Sequence, residues 1–472
     1  MAAFGGGPPG RTGQKPSLRD AMVVFKFPAF RVLWLSTTFS FTGMQMQQVA
    51  RALLAWDLTH SYGATGAIAL SFGLPMLLFS LIGGAVADRV EKRNLVLATQ
   101  VLNATLALAH AVLVTTGDMT FELLFILGLV QGTGFALGMP ARTPLMAEAV
   151  GSQNMMSAIA MSNAAMNATR LFGPALAGAM AGAWGLQSAY YAQAALNGIS
   201  AVVLLWVPTG MGAVALVGMA ARRPQGNMFV EIGRGLRYVA TDRRLRLLIA
   251  MMFITTLFAM PYIMLLAGFV QEDLGQGVGA FGVLQSISGI GAVVGSIAIA
   301  TMTQFDRKPL LQWVAGILSG LSLMLLAGGS VVAGYPGAIA ATILLGLTLT
   351  FYQTLNNTMV MDEARPEYYG RVMSINMLTF SAMPLMAAPL GLVADWIGAV
   401  ELFFLMGVIV TVFMVIVGIV NPAYTFSRQS GPAWREADRQ EERRTGAGHP
   451  GGSGGGAGRE GAGTPAAAPD GR

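Results

Sequence analysis

Two arginines, Arg51 and Arg170, stand inside stretches otherwise almost free of charge, and they are the residues whose chemistry most needs explaining. A guanidinium keeps its proton under all ordinary conditions and is costly in apolar surroundings unless it meets water or a partner. Each therefore points to a cavity. Arg170 could bind an anionic group there or tie neighbouring elements together through buried hydrogen bonds. Gln45, Gln47 and Gln48 precede Arg51, and further polar groups recur at Asn103, His110 and Asn167. Helical spacing puts Gln47 and Arg51 on one face with Gln48 beside them, so Gln48, Arg51, Asn167 and Arg170 are expected to line the cavity. His110 reads either as a packed interhelical residue or as a proton site. Such a set can grip a small molecule; it holds no group placed to attack a bond.

Several chemistries drop out. With no cysteine there is no disulfide framework, thiol catalysis or cysteine-based metal site, and His60, His110 and His449 are too scattered to form a metal or acid–base cluster. The 30 methionines read as adaptable packing rather than a soft-metal path. The glycines of GVGAFGVLQSISGIGAVVGS lack the Gly-Lys-Ser/Thr end of an ATP site. Carboxylates avoid mid-depth: Asp57, Glu122, Asp395 and Glu401 fall toward one side, and Glu148, Asp362 and Glu363 toward the other. No catalytic residue, metal or cofactor is expected, and a membrane-embedded enzyme is the remote alternative.

The elements that must carry these residues are membrane spans. The chain is 54% hydrophobic and 11% charged with a mean hydropathy of +0.59, which excludes a soluble globular class. Apolar runs able to cross a bilayer core fall at roughly 30–56, 64–87, 94–116, 121–141, 156–182 and 187–207, then 246–267, 277–301, 309–330, 336–357, 372–394 and 401–420. The expected fold is an all-α polytopic membrane protein, its twelve transmembrane helices forming two six-helix bundles with pseudo-two-fold symmetry. The domains follow: a cytoplasmic segment 1–29, a six-helix half 30–207, a basic central loop 208–245, a second half 246–420 and a disordered cytoplasmic tail 421–472. The N-terminus is too polar for a cleavable signal peptide.

Charge placement orients the bundle. With the N-terminus cytoplasmic, 27 of the 29 Lys and Arg residues fall on the cytoplasmic side, Arg51 and Arg170 being the exceptions. Both termini are then cytoplasmic in a bacterial-type plasma membrane. This topology explains the net charge of +6 without nucleic acid. A shift of 215 residues places Phe30-Arg31-Val32-Leu33 on Leu245-Arg246-Leu247-Leu248, Glu148-Ala149 on Glu363-Ala364 and Pro174 on Pro389, and Asp88-Arg89 has a near counterpart in Asp306-Arg307. Parallel repeats of this kind build secondary transporters with the substrate path between the halves.

Between the second and third runs, GGAVADRVEKR (residues 83–93) resembles the signature loop of the major facilitator superfamily, with Glu91 where that family often has glycine. FRVLWLSTTFSFTGMQMQQVARALLAWDLTHS and EIGRGLRYVATDRRLR resemble its multidrug, macrolide and siderophore (enterobactin) exporter branch. The resemblance covers about residues 22–424. It implies a conformational gate on the cytoplasmic side from Gly84, Asp88, Arg89 and Arg93, with Asp88 meeting Arg142 and the start of the eleventh span near Arg371. In NATRLFGPALAG, Pro174 removes a backbone donor while Gly173 and Gly178 admit a close neighbour, and the stretch resembles the antiporter-type motif of superfamily exporters. The implied function is alternating-access export of a small amphipathic compound by proton antiport, in a monomer surrounded by lipid, with drug resistance or siderophore export as its setting. The alternatives are an importer or facilitator of the same fold, and a non-transport membrane protein.

Overall fold

Proline, glycine and short polar residues set where the helices begin and end. Pro28 opens α1 (Pro28–Thr59) in the first turn, where a missing N–H costs nothing, and His60, in the left-handed region at φ 48°, closes it. A two-residue turn leads into α2 (Tyr62–Ala87). α3 (Lys92–Thr116) stops at Gly117, φ 80°, and α4 (Phe121–Val150) starts where the Thr120 hydroxyl accepts the Leu123 N–H. α5 (Met155–Trp184) and α6 (Leu186–Leu204) follow. After the central connection, Asp242 caps α7 (Arg243–Ala259) by accepting from Leu245 N–H. α8 (Tyr262–Gly268) runs into a π-helical turn, Phe269–Asp273. Then come α9 (Val278–Thr301), α10 (Lys308–Glu363), α11 (Tyr369–Ile397) and α12 (Ala399–Val420).

The computed structural model describes residues 22–87, 89–208, 233, 237–301, 307–365 and 368–422, and these contain no strand. The predicted N-terminal segment up to residue 21, most of the 208–245 loop, the tail from 423, Asp88 and Asp306 lie outside the described residues, as do the side-chain surroundings of Gly84 and Arg371.

Three boundaries differ from the hydropathy reading. The run expected at 246–267 is two helices, because Pro261 cannot donate to the ladder. The runs 309–330 and 336–357 share one helical stretch broken only at Gly334, whose φ 59° and ψ −140° a side chain would resist. α4 continues past 141 to Val150: apolarity reports the membrane edge, not where backbone hydrogen bonding ends. Among the described residues, seven helical segments are long and apolar enough to cross a membrane, and the protein is a multi-pass membrane protein. The polar residues of α1 (Gln45, Gln47, Gln48, Arg51) and α5 (Asn163, Asn167, Arg170) dilute their apolarity.

Alternate helix ends carry Asp57, Asp118, Asp273 and Asp395 on one side, the acidic end, and Arg89, Lys92, Arg243 and Lys308 on the other, the basic end. At the acidic end one continuous core joins both halves of the chain, with Trp56 and Tyr62 beside Tyr262, Phe269 and Phe403. At the basic end the buried clusters are separate: Leu33, Ala87, Val96 and Ala141 in one, Val24, Phe30 and Ala158 in a second, and Val239, Leu245, Val360 and Ile375 in a third. Among the described residues, the halves thus share packing where the acids lie and form separate clusters where the bases lie.

Candidate functional site

Glycine decides which helices come close enough to enclose a site. A Cβ on Gly132 would lie 2.5 Å from the Phe72 carbonyl oxygen, and one on Gly128 would collide with Ser71, so α4 seats directly on α2. Gly43 likewise admits Asn197 of α6 against α1. This packing brings Gln131 to α1, where its carboxamide exchanges hydrogen bonds with that of Gln47 and accepts from Arg51 Nη2. The Arg51 guanidinium lies 5.7 Å from the Phe72 ring centre. Further toward the basic end, Arg142 Nη2 donates to Ser40 Oγ (3.1 Å), Ser40 donates to Gln100 Oε1 (3.1 Å), and the guanidinium faces Phe41 at 5.4 Å.

Two cavities border this network. The larger, about 90 Å³, lies where α1 and α2 face α8 and α11, with Gln47, Gln48, Arg51, Phe72, Met264 and Pro384 in its wall. The smaller, about 20 Å³, lies within the first half of the chain and is lined by Ser40, Gln47, Asn103, Gln131, Arg142, Gln193 and Asn197 among others. Met44, Gln47 and Phe72 belong to both. The larger space is apolar with a few polar groups at one side, a composition suited to an amphipathic molecule.

The predicted residues fall into distinct places. Gln48 and Arg51 face the larger cavity; Asn167 and Arg170 are exposed on α5 and line neither of these two cavities. His110 is fully buried between α3 and α6, its Nδ1 on the Leu106 carbonyl (2.7 Å) and its ring stacked on Tyr190 at 5.0 Å. That is the packed reading of this residue. Arg89 is exposed, Arg93 donates to the Leu205 carbonyl (2.8 Å), and Lys92 pairs with Glu148 at 2.7 Å, tying α3 to α4 at the basic end. Gly173 packs on Gln45 of α1, while Gly178 packs on Gly282, where its Cβ would lie 2.7 Å from that Cα. The Gly173-Pro174-Gly178 stretch therefore joins α5 to both α1 and α9.

Sequence reasoning missed Gln131, Gln193 and a latch at the acidic end. α2 has no acid in its own first turn. Asp395 of α11 supplies one, accepting from Tyr62 N–H (2.6 Å), Gly63 N–H (2.9 Å) and Ser61 Oγ (2.8 Å). Tyr62 Oη donates to Asp273 at 2.6 Å. Ser61 Oγ caps Ala64 N–H from within the segment (3.1 Å), so nothing local signalled that the Tyr62 and Gly63 N–H groups take a carboxylate from α11.

A multi-pass helical bundle with a partly polar cavity lined from both halves of the chain has the architecture that a membrane transport protein needs. Residues 20–438 match the family described as transmembrane secretion effector, and the chain belongs to that family of the major facilitator superfamily. It is a transporter by family, not an enzyme. It is 22% identical over 408 residues to macrolide efflux protein A of Streptococcus pyogenes, covering 83% of this chain and 96% of the relative. To the staphyloferrin A transporter of Staphylococcus aureus it is 22% identical, covering 71% and 82% respectively. To the enterobactin exporter EntS of Salmonella choleraesuis it is 20% identical, covering 73% and 80%. Among solved structures, the nucleoside transporter NupG superposes with a TM-score of 0.63 at 15% identity, covering 85% of this chain and all (100%) of that one. A bacterial homologue of the iron transporter ferroportin, in an inward-facing state, gives 0.62 at 14%, covering 84% and 99%. These structures share the fold.

Proposed function

We propose that this protein is a secondary active exporter of a small amphipathic compound, of the drug, macrolide or siderophore kind, working by alternating access. The observation that carries the reading is the cavity between the halves, bordered by Gln48 and Arg51, beneath an acidic end packed shut across both halves. Efflux names among the relatives support the direction. In this reading twelve spans form two six-helix bundles, the basic end and both termini are cytoplasmic, and the monomer loads substrate from the cytoplasm or inner leaflet. Gly84, Asp88, Arg89, Arg93, Arg142 and Arg371 close the basic end in the opposite state, and Asn167 and Arg170 border the path as it widens there. Proton antiport drives the cycle; an importer or facilitator is the runner-up.

A deletion and an overexpression strain profiled against drugs and siderophores, with flux measured in inverted vesicles under an imposed pH gradient, test the reading. Raised tolerance on overexpression and gradient-driven uptake into inverted vesicles are expected. Tolerance unchanged for every compound, together with no gradient-dependent flux in liposomes, would defeat it.

A further inference from the structure

Among the described residues, no carboxylate pairs with either of the two arginines nearest the smaller cavity. Arg51 is 9% exposed, its Nη2 rests on the neutral Gln131, and its Nε has no hydrogen-bond partner. Arg142 rests on a hydroxyl and a ring face. The carboxylates in the observed ion pairs among the described residues serve Lys92, Arg244 and Lys308. A buried cation left without an anion is strongly unfavourable, whereas one that receives an anion with additional hydrogen bonds is not.

The walls of the cavity add free donors. Gln193 is 1% exposed and lines the space, yet both its carboxamide atoms are without partners. Gln100, which accepts from Ser40 at the same place, has an unpartnered Nε2. Buried polar atoms are almost always paired, so this concentration of orphans marks a place for a guest. Arg142 and Gln193 line this space, and Arg51 and Gln100 bond to its lining residues Gln131 and Ser40. Gln193 Oε1 and Asn103 Oδ1 are unpartnered acceptors in its wall. With two guanidinium groups and no carboxylate among the described residues around it, the charge balance favours an oxyanion over a cation. A volume of about 20 Å³ holds a single small group rather than a whole molecule.

We infer that the smaller cavity is an oxyanion subsite, and that the transported compound carries a carboxylate or equivalent acid that reaches it past Gln47 while its apolar body stays in the larger cavity. The inference rests on the export reading for the word "transported"; the anion subsite itself does not. The substrate would then be an amphipathic acid, selected by charge at one end and by apolar contact with Phe72, Met264 and Pro384 at the other. An inorganic oxyanion shares the recognised chemistry, so the test separates the two.

Because the chain has no cysteine, Gln48→Cys places a single thiol in the larger cavity beside Arg51. In the purified full-length protein, labelling rates are measured with a negatively charged and a positively charged thiosulfonate, each normalised to its rate with a free thiol. The negative reagent is expected to react about tenfold faster. Benzoate should slow it several-fold, while benzamide and, at matched ionic strength, sulfate should not. Adding Gln131→Glu, nearly isosteric, supplies Arg51 with an internal counter-charge and should erase both the reagent preference and the benzoate effect. Equal normalised rates with no benzoate protection would overturn the subsite; protection by sulfate equal to that by benzoate would assign it to an inorganic ion and overturn the substrate class. Flux in liposomes from the same preparation keeps the two readings apart. Flux without anion protection defeats the subsite alone, and protection without flux of any compound defeats the export reading alone.

Discussion

At the scale of single residues, glycine and aspartate give the sharpest expectations. Gly178 meets Gly282 backbone to backbone, so Gly178→Leu must push α5 off α9, an overpacking that typically costs about 1–3 kcal/mol. A clear fall in the thermal midpoint in detergent, with loss of flux, is expected. Gly182→Ala is the control: its Cβ would find Gly279 Cα at 3.5 Å, an ordinary contact, and both readouts should stay near wild type. Equal damage by the two would mean that close approach at Gly178 is not what matters. For Asp88→Asn, the proposed latch at the basic end predicts a larger loss in turnover than in substrate binding, separable by comparing maximal flux with ligand affinity. A proportionate loss in both would remove Asp88 from the latch.

At the scale of elements, the contact to test is the N-terminus of α2 held by a carboxylate from α11. Helix ends present unpaired N–H groups and a partial positive charge, and a cap or a nearby anion contributes about 0.3–2 kcal/mol. Asp395→Ala removes the acceptors of the Tyr62 and Gly63 N–H groups and leaves only the Ser61 cap on Ala64, while Asp395→Asn keeps one oxygen and loses the charge. The closed acidic end should lose population in the order Asn, then Ala, by about fivefold for each 1 kcal/mol lost. Spin labels at Asp118→Cys and Trp396→Cys, both exposed positions, report this as growth of a longer-distance population. A distance distribution indifferent to Asp395 would show that the cap does not hold this end. Hydropathy could not have revealed the contact, since Asp395 and Tyr62 are 333 residues apart and neither is unusual in its own segment.

At the scale of the whole molecule, the shared core at the acidic end and the separate clusters at the basic end among the described residues would be one of the two states of the proposed alternating-access cycle. Locking the shared side should stop the cycle. Gly63 and Leu392 offer the place: a Cβ at 63 would lie 3.2 Å from Leu392 Cγ across the α2–α11 contact, within reach of a disulfide between Gly63→Cys and Leu392→Cys. Oxidation should reduce flux to background and a reductant should restore it, with either single variant insensitive to both treatments. Undiminished flux in fully crosslinked protein would rule out opening at this end.

The sequence by itself determined the helical bundle and the positions of most helices, and it led to the expectation of Gln48 and Arg51 at a cavity, while the superfamily was legible only through the likeness of the GGAVADRVEKR loop. The bundle, the helix positions and the cavity expectation follow from local composition: an apolar run of sufficient length must be a helix in lipid, and a charge within it must find a polar neighbour. Tertiary structure decided which neighbour. It put Gln131 against Arg51 and Gln47, left Asn167 and Arg170 exposed beside neither cavity, packed His110 on Tyr190 and gave α2 a cap from α11. Each of these is a contact between helices far apart in the chain, set by where glycines let backbones approach. Spacing along one helix fixes the face a side chain shares, but only packing fixes what stands opposite.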